Sequence, residues 1–204
     1  LQANGIRVKV VHTDVEYAGG GAIEKPVGEV HTVRSLYGGK NKLLRLMSAF
    51  ISSRQLVRKA RSLGTGPIIV MSDPAFLVFW ASRLLKDRVW AYWSMDLYPQ
   101  AFKAAGLVAE SNPFYKWYER TLKGAPPAFL ITMGAMQRRF LEEFYNGRTF
   151  PGVDMPCGIM APSGSVPSDA PEWWTPHDDK VYLGYCGNLG EAHSDLFVQA
   201  VMER

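Results

Sequence analysis

Pro67-Ile68-Ile69-Val70-Met71-Ser72-Asp73-Pro74 decides the fold class. Its centre is a continuous apolar, mostly β-branched run, the pattern of a strand buried on both faces, and it stops abruptly in polar and turn residues. The same grammar recurs on either side. Upstream, Ile6–His12 reads as a strand and Gly28–Leu36 as a shorter one; downstream, Arg88–Ser94, Pro127–Thr132 and Val181–Cys186 read as strands. Between them lie helical patterns at about 40–62, 75–86, 112–124, 135–146 and 192–203. This alternation predicts an α/β protein: a Rossmann-like open parallel sheet, doubly wound, with helices on both faces.

Composition agrees. The chain has 204 residues, 47% of them apolar and 21% charged, which is ordinary for a packed domain and excludes disorder, collagen-like repeats and a disulfide miniprotein. No stretch reaches the roughly 18 apolar residues of a membrane span. The opening Leu1–Gly5 is too short and polar for a signal peptide. The absence of a starting Met leads us to expect a longer natural N-terminus. Two cysteines, Cys157 and Cys186, are too few for a disulfide framework and read as free thiols of a reducing compartment, a single bridge between them being the alternative. The four histidines show no metal-ligand spacing. The net charge of +4 is unevenly spread: residues 1–109 carry 15 basic and 7 acidic side chains, residues 110–204 carry 8 and 12. The first half is thus suited to something anionic.

Pro and Gly cluster between Gly147 and Pro176 with little periodicity, which reads as a linker. The expected organisation is a first domain over 1–146, a linker over 147–180, and over 181–204 the first βα unit of a second Rossmann-like domain that cannot bury its own faces.

In open α/β sheets ligands bind beyond the carboxyl ends of the strands. The residues there are His12-Thr13-Asp14, Ser72-Asp73-Pro74, Asp96-Leu97-Tyr98-Pro99, Thr132-Met133-Gly134 and Gly187-Asn188-Leu189-Gly190. Each has an ordinary reading too. Asp73-Pro74 suits a helix start, with Asp as N-cap and Pro in the first turn. Asp96 follows the apolar run Trp90, Tyr92, Trp93 and Met95; it serves either as a proton acceptor and sugar-hydroxyl ligand or as cap of a short helix beginning near Tyr98. The glycines of 187–190 would let backbone N–H groups approach a phosphate, although many βα turns are glycine-rich. Neither GxGxxG nor GxxxxGK[ST] occurs. Gly19-Gly20-Gly21 reads as a flexible turn, His177-Asp178-Asp179 as a solvated turn rather than a metal cluster, and the aromatics of Asn112–Tyr118 as packing. His193 either reaches a diphosphate or merely lies on the first helical turn.

Residues 40–61 hold seven basic side chains and no acid, interleaved with apolar ones. At ~100° per residue, Leu43, Leu44, Leu46, Met47, Phe50 and Ile51 form one arc opposite Lys42 and Arg45. Leu56, Val57, Ala60 and Leu63 form a second arc, which a break near Ser52-Ser53 would reconcile with the first. The segment is either a basic amphipathic helix on an anionic membrane, with Lys40, Lys42, Arg45, Arg54, Arg58 and Lys59 as contacts, or an ordinary helix whose apolar arc packs on the sheet. A nucleic-acid-binding motif is lacking.

Taken together, Ser72-Asp73-Pro74, Asp96-Leu97-Tyr98-Pro99-Gln100, Met133 through Met136, and Tyr185-Cys186-Gly187-Asn188-Leu189-Gly190-Glu191-Ala192-His193 resemble the bacterial glycosyltransferases of family 4, with the two-domain GT-B fold, and within them the fucosamine-transferase-like subgroup. The order and spacing match from about residue 5 onward; the Asp96 and Tyr185 blocks are specific only in combination. The resemblance implies retaining transfer of a sugar from a nucleotide-sugar to a polyprenyl-diphosphate-linked acceptor, at the inner face of the plasma membrane, in cell-surface polysaccharide synthesis and with no bound metal or other cofactor. It implies an acceptor side formed by Asp73, Asp96 and Tyr98, with Asp96 catalytic, and a donor-diphosphate side formed by Gly187, Asn188, Gly190 and His193. The chain departs from the family in lacking its first strand and glycine loop and its Glu-x7-Glu donor motif. We therefore expect a fragment with little transferase activity alone. A non-catalytic subunit that recruits acceptor or membrane is the competing reading; a Rossmann-like enzyme with another nucleotide is disfavoured by the missing GxGxxG.

Overall fold

The computed structural model describes residues 5–14, 28–37, 39, 41–156 and 200. It is an α/β protein built on parallel strands. In chain order the elements are β1 (Lys9–Thr13), β2 (Glu29–Val33), α1 (Lys42–Ser62), β3 (Ile68–Met71), α2 (Leu77–Leu84), β4 (Trp90–Trp93), α3 (Gln100–Ala104), α4 (Pro113–Gly124), β5 (Phe129–Thr132), α5 (Ala135–Phe144) and β6 (Gly152–Asp154). Where one continuous sheet was expected, the described ladders form two: β1 beside β2, and β3-β4-β5-β6. All four pairings are parallel, with Ile68 opposite Trp90, Ala91 opposite Phe129 and Leu130 opposite Gly152. Pro67, at the head of β3, brings no N–H to a further ladder on that edge.

The helices start where their sequences permit. Asn41 Oδ1 accepts hydrogen bonds from the backbone N–H groups of Leu43 and Leu44 at 3.0 and 3.1 Å, capping α1. Asn112 does the same for Phe114 at 2.8 Å, with Pro113 opening α4. Alternation along the strands then sorts the side chains. Val70, Tyr92 and Leu130 are cross-strand neighbours on one face and join Phe79, Tyr118, Leu122, Leu141 and Tyr145 in a single core. The described helices α2, α4 and α5 thus gather on that face, because successive right-handed crossovers all advance in one direction. On the opposite face Ile69 and Met71 are exposed.

Aromatic rings fill the space between α1, α2 and α4. Phe79 packs against Phe50, Trp80, Trp117 and Tyr118 with centroids 4.5–5.9 Å apart, and Phe76 against Phe50, Phe102, Phe114 and Tyr118. Tyr118, fully buried, donates its hydroxyl to the Ala75 carbonyl at 2.6 Å.

The sequence reading ended the first domain at residue 146 and assigned 147–180 to a linker. The sheet continues past that boundary: β6 pairs with β5, and Leu130 N–H donates to the Pro151 carbonyl at 3.0 Å. Gly152 allows this, since a side chain there would run into the Leu130 carbonyl. The remainder of the linker and the second βα unit, 181–204, lie outside the described residues, apart from residue 200.

Candidate functional site

The carboxyl ends of β3 and β4 converge on a group of polar residues. Ser72, buried at the end of β3, accepts a hydrogen bond from the Asp96 backbone N–H at 2.9 Å. The Tyr92 hydroxyl donates to the Asp96 carbonyl, also at 2.9 Å. Asp96 is therefore gripped through both backbone groups, and its side chain is left exposed. Asp73 follows Ser72 directly and is exposed as well. Both aspartates precede cis-proline turns, at Asp73–Pro74 and Tyr98–Pro99.

Neither aspartate caps a helix. The position before α2 is held by Phe76 and the position before α3 by Pro99, each without a side-chain hydrogen bond. Nor is either paired with a cation among the described residues. The protein crowded behind Asp73 costs its charged form solvation, and the Asp96 carboxylate adds like-charge repulsion, so the Asp73 pKa is raised. Burial, then Asp96 and Asp73, push the Tyr98 phenol up to about 12. Tyr92 is likewise pushed up to about 12, mainly by burial. Asp73, Asp96 and Tyr98 thus feel one another electrostatically. The ensemble places two carboxyl groups beside a phenolic O–H donor, the complement of a polyhydroxylated ligand.

The other strand ends are occupied structurally. Asp14, after β1, accepts the Ser35 N–H at 2.6 Å, and His12 contacts Thr32 and the Thr13 carbonyl. After β5, Thr132 donates to Asp154 at 2.5 Å and Arg138 to the same oxygen at 2.9 Å; these bonds hold the Asp154 pKa low. The predicted donor-side residues Gly187, Asn188, Gly190 and His193 lie outside the described residues, as do Lys40 and the segments 19–21 and 177–179.

Helix α1 differs from its sequence reading. It runs unbroken through Ser52 and Ser53. Both serines are buried, with Ser48, Leu56 and Val57, so the inward face is set by the second arc and by small residues. Much of the first arc points outward: Leu43 is 66% exposed, Met47 53%, and Leu44 and Ile51 are exposed too. Arg54 and Arg58, four residues apart, continue that outward face toward the C-terminus. Arg45 and Lys59 are exposed on other parts of the circumference, and Lys42 opens the helix.

Two adjoining grooves run along this helix. One, of about 370 Å³, is lined by Phe50, Ile51, Arg54, Gln55, Arg58 and Trp80. The other, of about 270 Å³, is lined by Leu46, Met47, Phe50, Ile51, Phe76, Phe114 and Trp117. Sequence reasoning missed Trp80, Phe114 and Trp117 as groove walls, having placed the aromatics of α4 wholly in packing. It also missed Ser72 and Tyr92 as the groups that position Asp96; a serine immediately before an aspartate at a strand end was the available signal.

Among the described residues no cluster of three or more His, Cys, Asp or Glu side chains is placed to hold a metal ion, and no helix is long and apolar enough to cross a membrane. Fold and site define an α/β protein with parallel strands and an acidic, phenol-bearing edge at the strand carboxyl ends. No protein-family model, curated protein or solved structure matches the chain.

Proposed function

We propose that this chain supplies the acceptor-side half of a glycosyltransferase that moves a sugar from a nucleotide-sugar to a lipid-linked glycan at an anionic membrane surface. One observation carries the reading: the Asp96 N–H bond to Ser72 brings Asp96 to the strand end that carries Asp73, near Tyr98, and neither aspartate has a capping role or a cationic partner among the described residues. Aspartates held this way suit hydroxyl recognition. Asp96 accepts the hydrogen bond of the attacking acceptor hydroxyl and fixes its direction. Asp73 accepts from a neighbouring hydroxyl, and the Tyr98 phenol donates to a ring or glycosidic oxygen. As the bond between the acceptor oxygen and the sugar's anomeric carbon forms, the bond from that carbon to the diphosphate oxygen breaks and releases the nucleoside diphosphate; the acceptor hydroxyl's proton passes to the Asp96 carboxylate that holds it. The donor nucleotide is a co-substrate bound by the other half of the enzyme, and no step assigned to these residues uses a metal.

The test is calorimetric titration of the chain with a short-chain prenyl-diphosphate-linked sugar. Asp96→Asn and Asp73→Asn should each weaken binding about ten- to hundredfold, the range for hydrogen bonds to charged groups. Unchanged affinity in both variants overturns the assignment. A second reading, a non-catalytic subunit that recruits the acceptor to the membrane, is favoured by the outward apolar and basic face of α1. It predicts binding of the lipid-linked sugar that is indifferent to both aspartates.

A further inference from the structure

The outward face of α1 changes character along its length. Its N-terminal half presents Leu43, Leu44, Met47 and Ile51, all exposed; the next two turns present Arg54 and Arg58. The two grooves share Phe50 and Ile51, so they form one continuous trough. Its upper part is walled by Leu46, Met47, Phe76, Phe114 and Trp117, with no charged side chain among them. Its lower part holds Gln55 between the two arginines, with Trp80 behind.

The basic end is prearranged. Trp80 donates its indole N–H to the Phe50 carbonyl at 2.8 Å, fixing the ring against α1, and the Arg54 guanidinium lies over that ring 5.4 Å from its centre. No acidic residue occurs between Lys42 and Ser62. Arg61 is neutralised by Asp87 at 2.6 Å, whereas Arg54 and Arg58 have no carboxylate partner among the described residues. Two guanidinium groups left with unspent donors match the oxygens of a phosphate. An apolar trough joined to them matches a hydrocarbon chain attached to that phosphate.

We infer that the trough formed by α1, α2 and α4 is a site for one anionic membrane lipid, with a hydrocarbon chain against Met47, Ile51, Phe114 and Trp117 and the phosphate between Arg54 and Arg58. This deepens the membrane side of the proposed function and rests on that reading. It is separate from the acceptor edge: Asp73, Asp96 and Tyr98 line neither groove, and the Phe76 ring at the apolar end reaches Tyr98 only through Phe102.

Monomeric dodecyl phosphate, below its micelle concentration, is the probe, titrated by calorimetry alongside inorganic phosphate, monomeric dodecyl maltoside and vesicles containing anionic phospholipid. Saturable one-to-one binding of dodecyl phosphate is expected, at least about tenfold tighter than either half-probe. The double variant Arg54→Gln/Arg58→Gln should lose about tenfold for dodecyl phosphate and nothing for dodecyl maltoside. Met47→Glu/Ile51→Glu should lose binding of both alkyl probes. Circular dichroism checks that each variant, altered only at exposed positions, keeps its helix content. Binding of vesicles without binding of monomeric dodecyl phosphate overturns the one-lipid site and leaves the membrane reading standing. Binding of dodecyl phosphate without vesicles supports the site and removes the membrane reading. Equal affinity of the arginine variant for dodecyl phosphate overturns the site.

Discussion

Asp73 and Asp154 sit at the ends of β3 and β6 and respond to pH in opposite senses. Burial and the Asp96 charge raise the Asp73 pKa, so the folded state holds its proton more tightly than the unfolded chain does. The folded state is then favoured at acid pH, and stability falls as pH rises from the ordinary carboxylate value through the raised one. Asp73→Asn removes that loss: the variant should melt higher than the parent at neutral pH and equally at strongly acid pH. A lower melting temperature at neutral pH would show that Asp73 has a structural partner. Asp154 behaves in reverse. Thr132 and Arg138 lower its pKa, so its contribution is present above the ordinary carboxylate value and is lost as pH falls through the lowered one. Asp154→Asn should therefore melt lower at neutral pH, and the gap should close in acid; a pH-independent gap would mean that charge is not what Arg138 recognises. Asp73 and Asp96 were legible as chemistry-bearing residues from their place after apolar strands. Their release from capping was not, because a helix cap depends on where the first turn begins, and α2 begins at Leu77 rather than beside Pro74.

Among the elements, α1 shows how far periodicity reaches. Its extent was read closely, and Asn41 closes its first turn by the side-chain bonds expected of an N-cap. Asn41→Ala should cost about 1 kcal/mol in urea denaturation, by the usual worth of such caps; no change would mean that tertiary packing alone holds the first turn. The break expected at Ser52-Ser53 does not occur. Ser52 returns its hydroxyl to the Ser48 carbonyl at 2.7 Å, so its polar group is satisfied within the helix. Ser53 is fully buried. Ser53→Leu should destabilise by about 1–3 kcal/mol, because a larger side chain at a packed position forces its neighbours apart. A neutral effect would indicate slack around Ser53. Two apolar arcs on one helix need no break when the tertiary structure buries one and leaves the other outside.

At the scale of the whole molecule, one aromatic core joins three helices to the four-stranded sheet. Phe79 is fully buried and touches rings from α1, α2 and α4. Phe79→Ala should cost about 3–5 kcal/mol, a large part of the roughly 5–15 kcal/mol that holds a domain folded. Equilibrium denaturation measures it, and a loss below about 1 kcal/mol would mean that the cluster collapses around the gap.

The sequence by itself determined the α/β class, the parallel strands, the span of α1 and the Asn112–Pro113 start of α4. Each follows from local covalent and hydrogen-bonding preferences, or from apolar periods that repeat within a few residues. Tertiary structure decided the rest. β6 is three residues long and reads as a linker, Pro151-Gly152-Val153-Asp154; it becomes a strand because Gly152 lets two backbones meet and β5 presents an unpaired edge. Which arc of α1 faces inward was decided by its tertiary neighbours: Ser48 accepts the Tyr37 N–H at 3.0 Å from the chain after β2, while Phe50 packs against Trp80 of α2. The meeting of Asp73 with Asp96 was decided by the pairing of β3 with β4, since residues 23 positions apart in the chain have no local reason to share a charge environment.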